Sequence, residues 1–208
     1  MKELVREGVR LCYQEAGAGD PALVFIHGWC CDHSYFSPQF EHFAARHRVV
    51  ALDQRGFGQS DKPEQDYTIE AFASDVAWLC QELALGPAVL VGHSMGGAIA
   101  LATAAQHPDV VHAAVLVDPA VVFPAAGREA LRGFGDALGD PGYLELARGF
   151  ITDRLFIEAD DPQRRARITE HMLETPQRIM HSAMRNTLAF DGDKAAKECA
   201  TPVLLIDA

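Results

Sequence analysis

The sequence predicts an α/β protein in which helices cover both faces of a mostly parallel sheet. Four short apolar runs have the length of strands, and they lie at residues 22–26, 49–52, 88–91 and 113–117. Each run is apolar at every position, as in strands that are buried on both faces. Segments of helical character separate the later runs, and this alternation is typical of a parallel sheet.

Local signals place the remaining elements of the first 121 residues. Residues 4–15 show the alternation of a small hairpin, with its turn at Glu7-Gly8. Thr68 is expected to cap a helix whose apolar residues recur at intervals of four, three and four, until Gly86-Pro87 ends it. Residues 96–106 are mostly small and apolar and predict a further helix, which stops before Pro108.

The alternation of strands and helices breaks between residues 122 and 197. This segment is charged and helix-prone, and a strand-like apolar run returns only at residues 202–206. A helical insertion between two strands of one sheet has the layout of a lid. We therefore predict a core at 1–121, a helical lid at 122–197 and a return to the core sheet at 198–208. The alternative is a set of ordinary helices that cover the sheet.

Composition and charge argue against several classes of protein. The 208 residues are 49% hydrophobic and 23% charged, as in a globular domain. A net charge of −11 disfavours binding to nucleic acids or membrane surfaces, and no apolar stretch is long enough to span a bilayer. The N-terminus lacks a signal-peptide run and the five cysteines form no CxxC pair, so we predict a cytoplasmic protein with free thiols. No metal or organic cofactor is predicted, because no His/Cys/Asp cluster has ligand spacing, and self-association stays open.

The strongest chemical signal is the segment from Gly92 to Gly97, which reads G-H-S-M-G-G. The G-x-S-x-G pattern follows a buried strand and precedes a helix, which is the context of a nucleophilic serine on a sharp turn. The flanking glycines allow backbone segments to approach without a Cβ clash. Ser94 is therefore the candidate nucleophile, and the helix start after it points N–H groups at a developing oxyanion. The alternative is a glycine turn with a helix-capping serine.

A second signal, His27-Gly28-Trp29, ends the preceding buried strand. In a serine acyl-transfer site one oxyanion donor is the N–H of the residue after the nucleophile, here Met95, and the other comes from a loop after an earlier strand, here Trp29. We expect His27 to have a structural hydrogen-bonding role rather than that of a general base. His93 precedes Ser94 on a turn where adjacent side chains diverge. Both histidines are candidates for lining the pocket.

A third segment, from Asp53 to Asp61, follows another strand run and contains Gly56-x-Gly58. It lacks the third glycine, the lysine and the helix start of a phosphate-binding loop. We predict instead that Asp53 and Arg55 form a structural pair that holds this loop near the site.

Together the three segments resemble the α/β-hydrolase superfamily, and most closely its lid-bearing branch of serine esterases, cofactor-free haloperoxidases and carbon–carbon bond hydrolases. The resemblance covers residues 20–120 closely and extends loosely to Ile206. It implies that Ser94 attacks the carbonyl of a small apolar ester or related acyl substrate, with the Trp29 and Met95 N–H groups as oxyanion donors. A serine at this position argues against the dehalogenase and epoxide hydrolase branches, whose chemistry needs a carboxylate nucleophile.

The chain departs from the family pattern after its lid. The family order is serine, acid, histidine, with the acid after the strand at 202–206 and the histidine after one further strand. Neither position is present, and Asp207 follows the strand too closely to be the usual acid. Asp118 is a candidate substitute acid, since some relatives use that position. We expect a truncated hydrolase, inactive as it stands. The alternatives are a non-catalytic binding protein on the same fold, or perhydrolase or haloperoxidase activity at the same serine.

Overall fold

A computed structural model describes residues 1–121 and 125–207 of the chain. Within them, seven strands form one sheet: β1 (Lys2–Arg6), β2 (Val9–Ala16), β3 (Leu23–Ile26), β4 (Val49–Leu52), β5 (Ala88–His93), β6 (Val111–Val117) and β7 (Val203–Ile206). The strand order is β1-β2-β4-β3-β5-β6-β7. The hairpin β1–β2 pairs antiparallel with β4, whereas β3 to β7 pair in parallel. The predicted mostly parallel α/β sheet is confirmed.

Helices lie on both sides of this sheet: α1 (Ser37–Ala44), α2 (Ile69–Glu82), α3 (Met95–Gln106), α4 (Ala125–Ala137), α5 (Tyr143–Arg154), α6 (Pro162–Leu173), α7 (Gln177–Ala189) and α8 (Gly192–Glu198). Side chains alternate along β3, so that Phe25 packs towards α1 whereas Val24 and Ile26 pack towards α2 and α3. Thr68 caps α2, as predicted, by accepting a hydrogen bond from the Ala71 N–H at 3.1 Å.

The apolar strand β7 lies at one edge of the sheet. Its four side chains are 44–59% exposed. The strand pairs with β6 on one side, and no described residue pairs with its other edge. Apolar composition identifies a strand, but burial requires neighbours on both edges and both faces.

The predicted lid segment contains α4 to α8 within its described part, and residues 122–124, with which it begins, lie outside the described residues, as does residue 208. Helix α8 packs against α3, whereas α4 packs against α7 and α5 against α6. Helix α7 is tied to the rest of the chain by Arg178, which donates to the Pro63 carbonyl at 2.8 Å, and by Ser182, which accepts from the Tyr67 N–H at 3.0 Å. Among the described residues, no helix is both long and apolar enough to cross a bilayer.

Candidate active site

Ser94 lies on a sharp turn between β5 and α3. Its φ of 53° and ψ of −116° are values that residues with a side chain rarely adopt. Backbone hydrogen bonds hold the turn. The Ser94 N–H donates to the Val117 carbonyl at 3.0 Å, and the Ser94 carbonyl accepts from the N–H groups of Gly97 at 2.9 Å, Ala98 at 3.3 Å and Ala120 at 3.0 Å. Its hydroxyl makes no hydrogen bond to another described residue.

The two glycines around Ser94 are required by close backbone contacts. A Cβ at Gly92 would lie 2.1 Å from the Gly96 carbonyl oxygen, and a Cβ at Gly96 would lie 2.0 Å from the Ile26 carbonyl oxygen. Real Cβ atoms do not approach other atoms so closely. The close approach that the motif predicts is therefore confirmed, and it presses the start of α3 against the end of β3.

A cavity of about 710 Å³ opens beside Ser94, which is within the usual size range of small-molecule sites. Its floor is formed where β5, β6 and β7 end, and α4 to α7 supply most of its apolar wall. The residues that line the wall from these helices include Leu131, Phe150, Ile168, Met172, Met184 and Leu188, and Leu155 and Phe156 line it directly after α5. The cavity can therefore hold a largely apolar compound against the serine.

Trp29 and Met95 both line this cavity with Ser94. Neither backbone N–H donates a hydrogen bond to a residue of 1–121 or 125–207, so both are available to a ligand oxygen. The Trp29 ring is held in place by its Nε1–H, which donates to the Met180 carbonyl at 2.9 Å, and by edge contacts with Phe134 and Phe150 at centroid distances of 6.2 Å.

A family model described as alpha/beta hydrolase fold matches residues 21–196 of the chain. The chain belongs to the α/β-hydrolase fold family.

Three of the proteins to which the chain is similar have the names of hydrolytic enzymes. The 2-(acetamidomethylene)succinate hydrolase of Mesorhizobium japonicum is 40% identical over 110 residues, which are 53% of this chain and 39% of that protein. Lipase LipV of Mycobacterium tuberculosis is 35% identical over 172 residues, 81% of this chain and 64% of that protein. The crystal structure of the enol-lactonase from Burkholderia xenovorans matches with a TM-score of 0.86 at 26% identity, over 99% of this chain and 80% of that chain. The first of these matches thus spans about two fifths of the relative's length.

His27 does not line the cavity of this α/β-hydrolase chain, so the pocket-lining prediction is wrong. Its side chain is fully enclosed behind the β3 end. The Nε2 atom accepts from the Gln54 N–H at 3.1 Å, which leaves Nδ1 to donate to the Gly28 carbonyl at 2.9 Å. Burial lowers the pKa of His27. This is the structural hydrogen-bonding role that its position at a strand end predicts.

His93 lies on the cavity wall and is exposed to the cavity. Desolvation by the surrounding protein atoms lowers the pKa of His93, and the Asp118 carboxylate offsets part of this effect. The His93 ring makes no hydrogen bond to Ser94. Among the described histidines it is the one that lines the cavity.

Asp118 and Asp207 line the cavity at the ends of β6 and β7. The Asp118 N–H donates to the Ile206 carbonyl at 2.7 Å, so the two strand ends lie side by side. Asp118 has a φ of 43°, an unusual value for a residue with a side chain. Neither carboxylate is hydrogen-bonded to a histidine of the described chain, and the role of Asp118 as an acid stays a prediction.

Asp53 and Arg55 do not pair with each other, so that prediction is wrong. The fully buried Asp53 accepts from the His33 N–H at 2.8 Å, from the His33 Nδ1 at 2.7 Å and from the Gln59 N–H at 2.8 Å. Arg55 instead forms a bidentate ion pair with the buried Asp75 on α2. The chain turns between the two residues, so each side chain reaches a partner on a different element.

Asp32, His33 and Asp53 bring ligand-type atoms within 4.8 Å of one another. Their lone pairs are engaged in hydrogen bonds: Asp53 accepts from His33, and Asp32 accepts from the Ser34 N–H and hydroxyl at 2.8 and 2.6 Å. These hydrogen bonds support the loop, and the absence of a metal cofactor stays a prediction.

Sequence analysis did not single out the α5 residues that face the site. Phe150 and Arg154 line the cavity from one face of that helix. Their spacing of four residues places them on one face of the helix. That spacing does not show against which part of the protein this face packs.

Proposed function

We propose that the chain carries the nucleophile and the oxyanion donors of a serine hydrolase that acts on small apolar carboxylic esters or related acyl compounds. The observation that carries the proposal is Ser94 itself. Its unbonded hydroxyl sits on a strained strand-to-helix turn, beside a largely apolar cavity and two backbone N–H groups, from Trp29 and Met95, that have no other described acceptor.

In the proposed reaction, the Ser94 Oγ forms a bond to the carbonyl carbon of the substrate and passes its proton to a general base. The carbonyl oxygen becomes an oxyanion, which the Trp29 and Met95 N–H groups stabilise by hydrogen bonds. When the oxyanion reforms the carbonyl, the alcohol leaves with a proton from the same base. Water then attacks the acyl-serine by the same route and releases a carboxylic acid and free Ser94.

The general base is assigned to none of the described histidines. His93 lines the cavity but is not bonded to Ser94, and the others lie elsewhere. In serine proteases the loss of the histidine costs on the order of a millionfold in turnover. We therefore expect only weak hydrolysis from these 208 residues alone. The missing bond between Ser94 and a histidine also favours the second candidate function, a binding protein that holds an acyl compound without cleaving it.

A fluorophosphonate probe tests the nucleophile directly, because it forms a covalent bond to activated serines. With imidazole added as a general base, mass spectrometry should locate a single label at Ser94 in the wild-type chain. The label should be absent from Ser94→Ala and unchanged in Ser34→Ala, a matched control for an exposed serine outside the cavity. Imidazole in the buffer supplies a base from solution, so labelling should rise with its concentration.

Two outcomes would contradict the proposal. Labelling that persists in Ser94→Ala would place the reactive serine elsewhere. A wild-type chain that stays unlabelled even with imidazole, although it binds acyl compounds, would favour the non-catalytic binding protein.

A further inference from the structure

Among the described residues that line the Ser94 cavity, one carries a permanent positive charge. This residue is Arg154, at the end of α5. Phe150, one helical turn earlier, lines the same cavity and meets the Trp29 ring edge-on at 6.2 Å. Residues four apart lie on one face of a helix, so the contact between Phe150 and Trp29 turns the Arg154 side of α5 towards the site.

The guanidinium of Arg154 is available to a ligand. No acidic group within residues 1–121 and 125–207 lies within 4.0 Å of it, and it makes no described hydrogen bond. Its neighbours differ in this respect: Arg148 on the same helix pairs with Glu170, and Arg165 stacks on the Phe156 ring at 5.5 Å. Arg154 is also exposed to solvent, so it can meet a ligand at the cavity mouth.

The charged residues of the cavity lie on different elements. Asp118 and Asp207 lie at the sheet end, beside the turn that holds Ser94, because β6 and β7 end there. Arg154 lies at the end of α5, which also carries the apolar Phe150 into the cavity. The chain as a whole has a net charge of −11, so an anionic ligand needs a local cation to be held at all.

We propose that Arg154 binds a carboxylate of the substrate, so that this site takes acyl compounds with a carboxylate remote from the bond that is cleaved. This inference rests on the proposed function for the reacting end and adds the substrate class. The carboxylate faces the guanidinium, a short apolar chain follows the cavity wall, and the neutral acyl group faces Ser94, where the two aspartates repel an anion. A guanidinium suits this role because it offers paired donors to a carboxylate.

Equilibrium binding tests the inference apart from catalysis. In the Ser94→Ala background, binding of monomethyl adipate and of dimethyl adipate is measured near neutral pH by calorimetry and by the intrinsic fluorescence of the two tryptophans, Trp29 and Trp78. The two compounds differ by one charge and one methyl group. We expect the monoanion to bind up to about fivefold more tightly, the upper end of the range for an exposed ion pair. High salt should reduce this preference.

Variants then locate the contact. Arg154→Gln should remove the preference and leave binding of the neutral diester unchanged. Arg167→Gln makes the same charge change at an exposed position on α6 outside the cavity lining, and it should keep the preference. Equal binding of the two compounds to the parent, or a preference that survives in Arg154→Gln, would overturn the inference. Loss of binding of both compounds in Arg154→Gln would also overturn the inference, because it would show that Arg154 supports the structure of the site.

The two proposals can fail separately. An unlabelled Ser94 together with a charge preference that depends on Arg154 would refute the hydrolase and leave the carboxylate site standing. A labelled Ser94 without a charge preference would do the reverse.

Discussion

Gly96→Ala is a sharp test of how the Ser94 turn is packed. The new Cβ would lie 2.0 Å from the Ile26 oxygen and 2.7 Å from the His27 oxygen, both of them backbone atoms. The start of α3 and the end of β3 would have to separate by about 1 Å, in an interior packed like a crystal. Overpacking costs about 3 kcal/mol at the upper end of its usual range. Replacing glycine in a helix returns about 1 kcal/mol, so the net loss should be about 2 kcal/mol.

Urea unfolding followed by circular dichroism measures this loss. With a slope of about 2 kcal/mol per molar urea, the midpoint should fall by about 1 M. Gly149→Ala is the matched control, because Gly149 lies within α5 and a Cβ there would meet nothing within 4 Å. Its midpoint should rise by about 0.5 M, from helix propensity alone. A Gly96→Ala variant as stable as the wild type would refute the argument that backbone contact requires this glycine.

Three further predictions follow from other parts of the chain. Leu204→Lys should reduce self-association measured by light scattering, because an exposed apolar edge strand such as β7 offers other chains a place to pair. Val5→Lys on the charged strand β1 should leave self-association unchanged. An equal reduction in the two variants would contradict this prediction. The hydrogen bond to Asp53 raises the pKa of His33. The contribution of this pair to stability is therefore fully present below about pH 6.5, and it is lost as the pH rises through the raised pKa of His33. The urea midpoint should therefore fall between about pH 6 and pH 9, and a fall of the same size in His33→Gln would disprove the link. Helices α4 to α7 should exchange amide hydrogens faster than β3 to β6, and uniform protection would indicate one rigid body.

Features set by neighbouring residues could be predicted from the sequence. The hairpin at Glu7-Gly8, the cap at Thr68 and the strand-turn-helix around Ser94 each depend on a few consecutive residues. The spacing of the glycines around Ser94 is a local signal too, because the backbone contact that excludes a Cβ at Gly92 lies within the same turn.

Features set by distant parts of the chain could not be predicted. Asp53 and Arg55 are two residues apart, yet the partner of Arg55 lies on α2, where Asp75 also binds Arg6. The cavity position of Arg154 depends on how α5 packs over the sheet. In each case the sequence pattern predicts the helix or strand, whereas the packing of the whole chain decides which other residues that element contacts.

The Trp29 side chain makes the position of α7 and the proposed oxyanion site thermodynamically linked. Its indole N–H donates to the Met180 carbonyl on α7, and Trp29 also lines the cavity beside Ser94. Moving α7 away must either leave a buried donor unpaired, at a cost of about 1–3 kcal/mol, or displace Trp29 and its backbone donor. Linkage is reciprocal. A ligand oxygen that binds the backbone N–H of Trp29 therefore favours the packed position of α7. The factor by which the ligand shifts that equilibrium equals the factor by which release of α7 weakens binding of the ligand.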